Sequence, residues 1–324
     1  VKLEAGITHD GAGLVFLTLS KLGINPKTKD KRRSIMKYLS FVIATWALAA
    51  VLFTGSAQAG VPLVNLEGVG GVAFNPLAYP AATFGKDDGQ NLVAKPRFGV
   101  WYVNLNGSDI DWTTIGIADT FFKRLELSYG YESVNLGSQL FALNKSLPLS
   151  QNVHKSNFGA KVLLLEENSF DTKFVPAVSV GAIYKTTTFD AGKLANNSDK
   201  DGFDGYIVAT KLIPELPRPV LLSAGALLTS GQVNGILGFN HQADTVFFGN
   251  IDVLPLDNVA IGFEYKQGAR FDSFKNSNYW NVHAAWFVNK NLSLVAAYVD
   301  AGDNHSTSKV GLGTGPAVSA QYEF

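Results

Sequence analysis

Downstream of Gly60 the apolar residues recur at every second position, in stretch after stretch, and no long segment holds a helical spacing. In KRLELSYGYE, Leu125, Leu127, Tyr129 and Tyr131 fall on one face of an extended chain, with Arg124, Glu126, Ser128, Gly130 and Glu132 on the other. NVAIGFEYK opposes Val259, Ile261, Phe263 and Tyr265 to Ala260, Gly262, Glu264 and Lys266. YWNVHAAWFV sets Trp280, Val282, Ala284, Trp286 and Val288 against Asn281, His283 and Ala285. The last stretch sets Pro316, Val318, Ala320, Tyr322 and Phe324 against Ala317, Ser319, Gln321 and Glu323. Side chains alternate between faces along a strand, so each stretch reads as a strand with one apolar face. The pattern predicts about twelve strands, near 97–105, 111–119, 123–133, 157–166, 174–187, 203–213, 218–229, 244–253, 258–267, 279–288, 291–300 and 314–324.

Strand length and connections then select a class. Many of these strands run to about 9–11 residues, what a tilted strand needs to cross a bilayer, whereas strands of soluble proteins are usually nearer five or six. The connections 134–156, 188–202, 230–243, 268–278 and 301–313 are longer and polar, and 120–122, 167–173, 214–217, 254–257 and 289–290 are short. Short turns on one rim and long loops on the other are the asymmetry of a bacterial outer-membrane barrel. An even strand count puts the N- and C-termini on the short-turn, periplasmic side. Tyr129, Tyr131, Tyr265, Trp280, Trp286, Tyr298 and Tyr322 lie near strand ends on the apolar faces, where rings sit at membrane interfaces. A two-sheet sandwich would have to bury these faces in pairs and cover its edges; closure within a bilayer removes both problems. The expected fold is all-β, a transmembrane antiparallel barrel over 96–324.

The sequence before Gly60 reads as an address. Met36, the sole methionine, opens MKYLSFVIATWALAAVLFTGSAQAG. Lys37 supplies a positive start, Leu39 to Phe53 an apolar run, and Ala57 and Ala59 a small-residue cleavage site before Gly60. Residues 36–59 therefore read as a signal peptide, with an uncleaved anchor as the alternative. Residues 1–35 are polar and read as untranslated sequence ahead of a start at Met36, or as an extended leader.

Charge sharpens this division. Residues 1–59 hold 8 Lys/Arg and 3 Asp/Glu, whereas residues 60–324 hold 19 and 24. The mildly acidic remainder offers no basic face for nucleic acid. The chain has no cysteine, which excludes disulfides, thiolate metal sites and a lipidated N-terminal cysteine.

Residues 60–95 are the least strand-like stretch. Glu67-Gly68-Val69-Gly70-Gly71 and Asn75-Pro76 suit close packing and turns. One reading is a plug in the lumen with Glu67 paired to a wall cation; the others are a periplasmic tether or an extra strand pair. Leu140, Phe141 and Leu143 leave a further pair open around 135–150.

Candidate chemistry lies on the polar faces. Glu126, Lys161, Lys185, Asn250, Asp252, Glu264, Lys266 and His283 are the expected lumen residues. Both signs occur among them, so they can line a channel for a small solute or pair across the lumen and fill it. Of the four histidines after Gly60, His154, His241 and His305 fall in expected loops, and no G-x-S-x-G or comparable cluster accompanies His283. No enzyme activity and no cofactor are expected. Asn197, Asp199 and Asp201 before Gly202 offer oxygen ligands, but Val208 stands where a calcium loop wants Glu, and a solvated loop is the better reading.

The segments GVPLVNLEGVGGVAFNPLAYP, FGAKVLLL, VPAVSVGAIYK, NVAIGFEYK and WFVNKNLSLVAAYVD resemble the bacterial outer-membrane family catalogued as DUF3034, from about Leu66 to Phe324. The resemblance implies a barrel in the outer membrane and no particular chemistry. The last strand, VSAQYEF, resembles the signal read by the barrel-assembly machinery, with Tyr322 and Phe324 as its aromatic residues. The expected partners are that machinery, outer-membrane lipid and a small solute.

Overall fold

The structure, a computed structural model, describes residues 63–82, 92–106, 108–137, 151–189, 198–272, 275–303 and 309–324. Twelve long strands occupy most of them. They are β1 (Arg97–Leu105), β2 (Ile110–Phe121), β3 (Leu125–Leu136), β4 (Gln151–Leu165), β5 (Ala177–Thr187), β6 (Asp201–Ile213), β7 (Val220–Gly231), β8 (Phe239–Leu256), β9 (Val259–Lys266), β10 (Tyr279–Phe287), β11 (Leu292–Asp300) and β12 (Thr314–Glu323). Each strand pairs antiparallel with its neighbours in sequence, and β12 pairs with β1 to close the ring. Closure leaves no unpaired edge, so the backbone hydrogen bonds of every strand are met within the sheet.

The faces sort as the alternation predicts. Ile115, Leu127, Phe158, Ile207, Phe247, Ile261 and Val282 are exposed on the outer surface, while their neighbours Thr114, Glu126, Asn157, Val208, Phe248, Ala260 and Asn281 are buried inside. Aromatic rings join across the outer face, as in Tyr129–Phe158 at 5.0 Å and Tyr184–Phe203 at 4.9 Å between centroids. An outer surface this apolar is stable against hydrocarbon and unfavourable in water.

Some boundaries differ from the sequence reading. β4 opens at Gln151 and β8 at Phe239, each several residues early, so His154 and His241 lie on strands rather than in loops. The reason is a change of rule near the long-loop rim. There the inward positions turn apolar, with Leu105, Ile110, Trp112, Val134, Leu136 and Val153 all buried. The apolar-out pattern is lost or reversed in those stretches. The stretch around Leu140, Phe141 and Leu143, His305, and everything before Leu63, including Ala57, Ala59 and Gly60, lie outside the described residues.

Candidate functional site: a filled lumen

Residues 63–82 run inside the ring of strands, and all but Tyr79 and Pro80 are buried. Their local shape follows from their composition. The Asn65 side-chain oxygen accepts from the Glu67 and Val69 N–H groups at 2.9 and 3.0 Å, which folds the chain back on itself. Leu63–Val64 then pairs with Gly70–Gly71 in a two-residue ladder. Gly68 sits at φ 86°, and a Cβ there would stand 2.6 Å from the Gly130 nitrogen. Only glycine allows that turn and that approach together. Gly130 on β3 returns the constraint, since a Cβ on it would collide with the Glu67 carbonyl oxygen.

Three groups on the wall hold this segment. In the first, the Glu67 carboxylate accepts from Lys185 Nζ at 2.5 Å and from Lys155 Nζ at 3.3 Å. Lys185 also pairs with Asp204 at 2.5 Å, and Lys155 with Glu132 at 2.9 Å. In the second, Glu126 accepts from the Gly70 and Ala81 N–H groups at 2.8 and 2.6 Å. Its partner Lys161, 2.9 Å away, donates to the carbonyls of Gly70, Leu77 and Tyr79. In the third, Glu264 accepts from the N–H groups of Ala73, Phe74 and Asn75 at 3.1–3.2 Å. Asn281 donates to the same carboxylate at 2.6 Å. Nearby, Gln321 brackets Val64 by donating to its carbonyl and accepting from its N–H, both at 2.7 Å.

Burial pushes the Glu67 carboxyl upward, but Lys185, Lys155 and Lys266 together hold it well below the usual carboxylate range. It is ionised throughout the physiological range. Glu126 and Glu264 answer backbone donors of a segment that has no ladder partner on the wall, and Lys161 answers its carbonyls.

A second element closes the long-loop side. The turn 232–238 folds inward, burying Val233, Ile236 and Leu237. Its Asn234 receives Lys155 through the backbone carbonyl at 2.8 Å and Lys266 through the side-chain oxygen at 2.9 Å. The sequence predicts a polar loop over 230–243, but Val233, Ile236 and Leu237 within it face the interior. Val233 meets Leu66, Phe74, Val103, Trp112 and Leu312 around an apolar cavity of about 30 Å³.

The sequence-predicted lumen residues fall into these groups. Glu126, Lys161, Lys185, Asp252, Glu264, Lys266 and His283 are buried on inward faces, and Asn250 with them. Asp252 and His283 pair at 2.7 Å, and the other His283 nitrogen meets Asn281, which links the pair to Glu264, at 2.8 Å. Both ring nitrogens are thus engaged, leaving none to activate a nucleophile. Lys155, Glu132, Asp204 and Asn234 carry equal weight in the site and were not singled out from the sequence. Glu132 carried a signal in sharing a face with Glu126; Lys155, its partner one strand on, falls in a stretch that reads as a loop. Asp199 meets His241 at 3.3 Å and Asp201 opens β6, while Asn197, the other residue of the calcium reading, lies outside the described residues.

The chain is a closed transmembrane β-barrel whose lumen is occupied by a segment of its own sequence. It belongs to the family described as "Protein of unknown function (DUF3034)", matched over residues 59–311. Among solved structures it is similar to a KdgM porin, with 15% identity over 70% of this chain and 99% of that one at a TM-score of 0.44. It is also similar to the Acinetobacter baumannii outer membrane protein Omp33, with 13% identity over 72% and 100% at 0.41. The Escherichia coli outer membrane phospholipase A is more distant, with 6% identity over 71% and 93% at 0.35. No curated protein sequence matches the chain.

Proposed function

We propose that the chain is a porin-like outer-membrane barrel held shut by its own N-terminal plug, residues 63–82, and that it passes a small solute when the plug leaves the lumen. One observation carries this reading: the barrel's hydrogen-bond ladder closes without the plug. β1 pairs with β12 and β7 with β8, and residues 63–64 and 70–71 pair only within the segment, with each other and, at Gly71, with Pro76. The plug can therefore withdraw without opening a strand edge, at the expense of side-chain contacts and buried apolar surface. Glycine supports the same reading, since Gly68 and Gly130 are shaped for a close but unbonded approach.

The protein is delivered by a signal peptide over 36–59, cut between Ala59 and Gly60, and inserted by the barrel-assembly machinery with both termini periplasmic. Outer-membrane lipid covers the apolar exterior. The engaged His283 favours a transport role over a hydrolytic one.

Purified protein in a planar bilayer tests the reading. The full chain is expected to be silent or nearly so. Gly68→Val, which forces a side chain into the Gly130 backbone and strains a left-handed residue, is expected to give stable open channels. A barrel that stays silent after the plug is dislodged would favour a structural or partner-binding role.

A further inference from the structure

We propose that the wall group now holding Glu67 is a carboxylate-binding site for the transported solute, and that Glu67 occupies it in the closed state as a built-in stand-in. The inference rests on the plug being removable, as proposed above, and adds the chemical class of the solute.

The geometry is that of a receptor for one carboxylate. Lys155 and Lys185 converge on a single oxygen of Glu67 from adjacent strands β4 and β5. Lys266, on β9, meets Lys155 at Asn234, one bonding its side chain and the other its backbone. Three ammonium groups from separate parts of the wall therefore crowd one end of the plug. The wall answers them with only two carboxylates, Glu132 and Asp204. With Glu67 in place the charges of this group balance; with the plug gone Lys155, Lys185 and Lys266 face only Glu132 and Asp204, a local excess of one positive charge. All three lysines are almost fully buried with the plug in place, so its withdrawal exposes them together. The vacated site therefore favours an anion over a neutral or cationic solute.

The other groups add a second requirement. Glu264 receives three backbone N–H donors from the plug, and Glu126 receives two. Once the plug leaves, these carboxylates need donors in turn. A solute that carries a carboxylate together with hydroxyl or ammonium groups satisfies both walls at once. An uncharged polyol meets only the second requirement, and a purely cationic solute is repelled by the lysines.

Citrate, which carries carboxylates and a hydroxyl, is the probe, with glycerol as the uncharged control. The experiment uses the full chain carrying Gly68→Val, its fold checked by heat-modifiable gel migration; Glu67→Gln serves as the opened chain if that variant does not assemble. Citrate is expected to block the potassium chloride current at concentrations where glycerol does not. Adding Lys185→Gln and Lys266→Gln is expected to weaken the block by about tenfold or more. Open channels that citrate does not block, or blocks equally with and without the lysines, would overturn the carboxylate site while leaving the gated barrel standing. Failure of both opened chains to conduct would instead remove the gated barrel, and this inference with it.

Discussion

Glu67 is the residue on which plug and wall depend most. It brings one charge into a dry interior and meets lysines there instead of water. Breaking a buried pair of this kind costs about 3–5 kcal/mol, because the partners are left uncompensated. Glu67→Gln should therefore loosen the plug by that order while leaving the strands intact. Since docking holds the Glu67 carboxyl below its ordinary value of 4.5, the contribution to docking is full above that value and fades as pH falls beneath it. The melting temperature of the folded chain should thus change little from this group between about pH 7 and 5, and decline at more acid pH. Glu67→Gln should show a shallower acid decline than the parent; superimposable pH profiles for the two would contradict the ionised, lysine-held carboxylate.

At the scale of the strand, legibility followed the solvent. Where a strand faces lipid on one side and polar groups on the other, as in β3, β9 and β12, alternation alone places nearly every side chain. Glu264 and Lys266 could be assigned to the lumen for that reason. Near the long-loop rim the inside is itself apolar, because the turn 232–238 and the plug tip at Leu66 and Phe74 pack there. The period-two contrast then disappears, and with it went the start of β4 and the position of Lys155. The inward fold of 232–238 was beyond reach for a different reason. Val233, Ile236 and Leu237 are ordinary residues for a loop until a partner surface is known. Cross-strand pairing is likewise not legible where the first and last strands meet: Arg97 on β1 and Glu323 on β12 form a partly buried ion pair at the closing seam. Beyond that seam the exposed Phe324 ring packs edge-on against Tyr322, with centroids 5.2 Å apart, on the outer face. Deleting Phe324 should leave export to the periplasm intact and reduce the amount of barrel recovered in the outer membrane; unchanged outer-membrane levels would count against its role as the assembly signal.

For the molecule as a whole, the lumen has two layers with different tasks. A polar layer of wall carboxylates and lysines grips the plug backbone, and an apolar layer beneath the long loops excludes water. The first gives register and the second gives the seal. Neither layer needs the plug to be part of the sheet, so closure of the barrel and closure of the lumen are separate events. That separation is the central claim, and a crosslink tests it directly. A Cβ on Gly116 of β2 would stand 2.7 Å from Val64 Cγ1, within reach of a disulfide, and the native chain has no cysteine to interfere. The double variant Val64→Cys, Gly116→Cys in intact outer membranes should crosslink on mild oxidation, and reduction should return free thiols without loss of the barrel. Two thiols that never pair and that label freely with a water-soluble maleimide would place residue 64 outside the lumen and contradict the account.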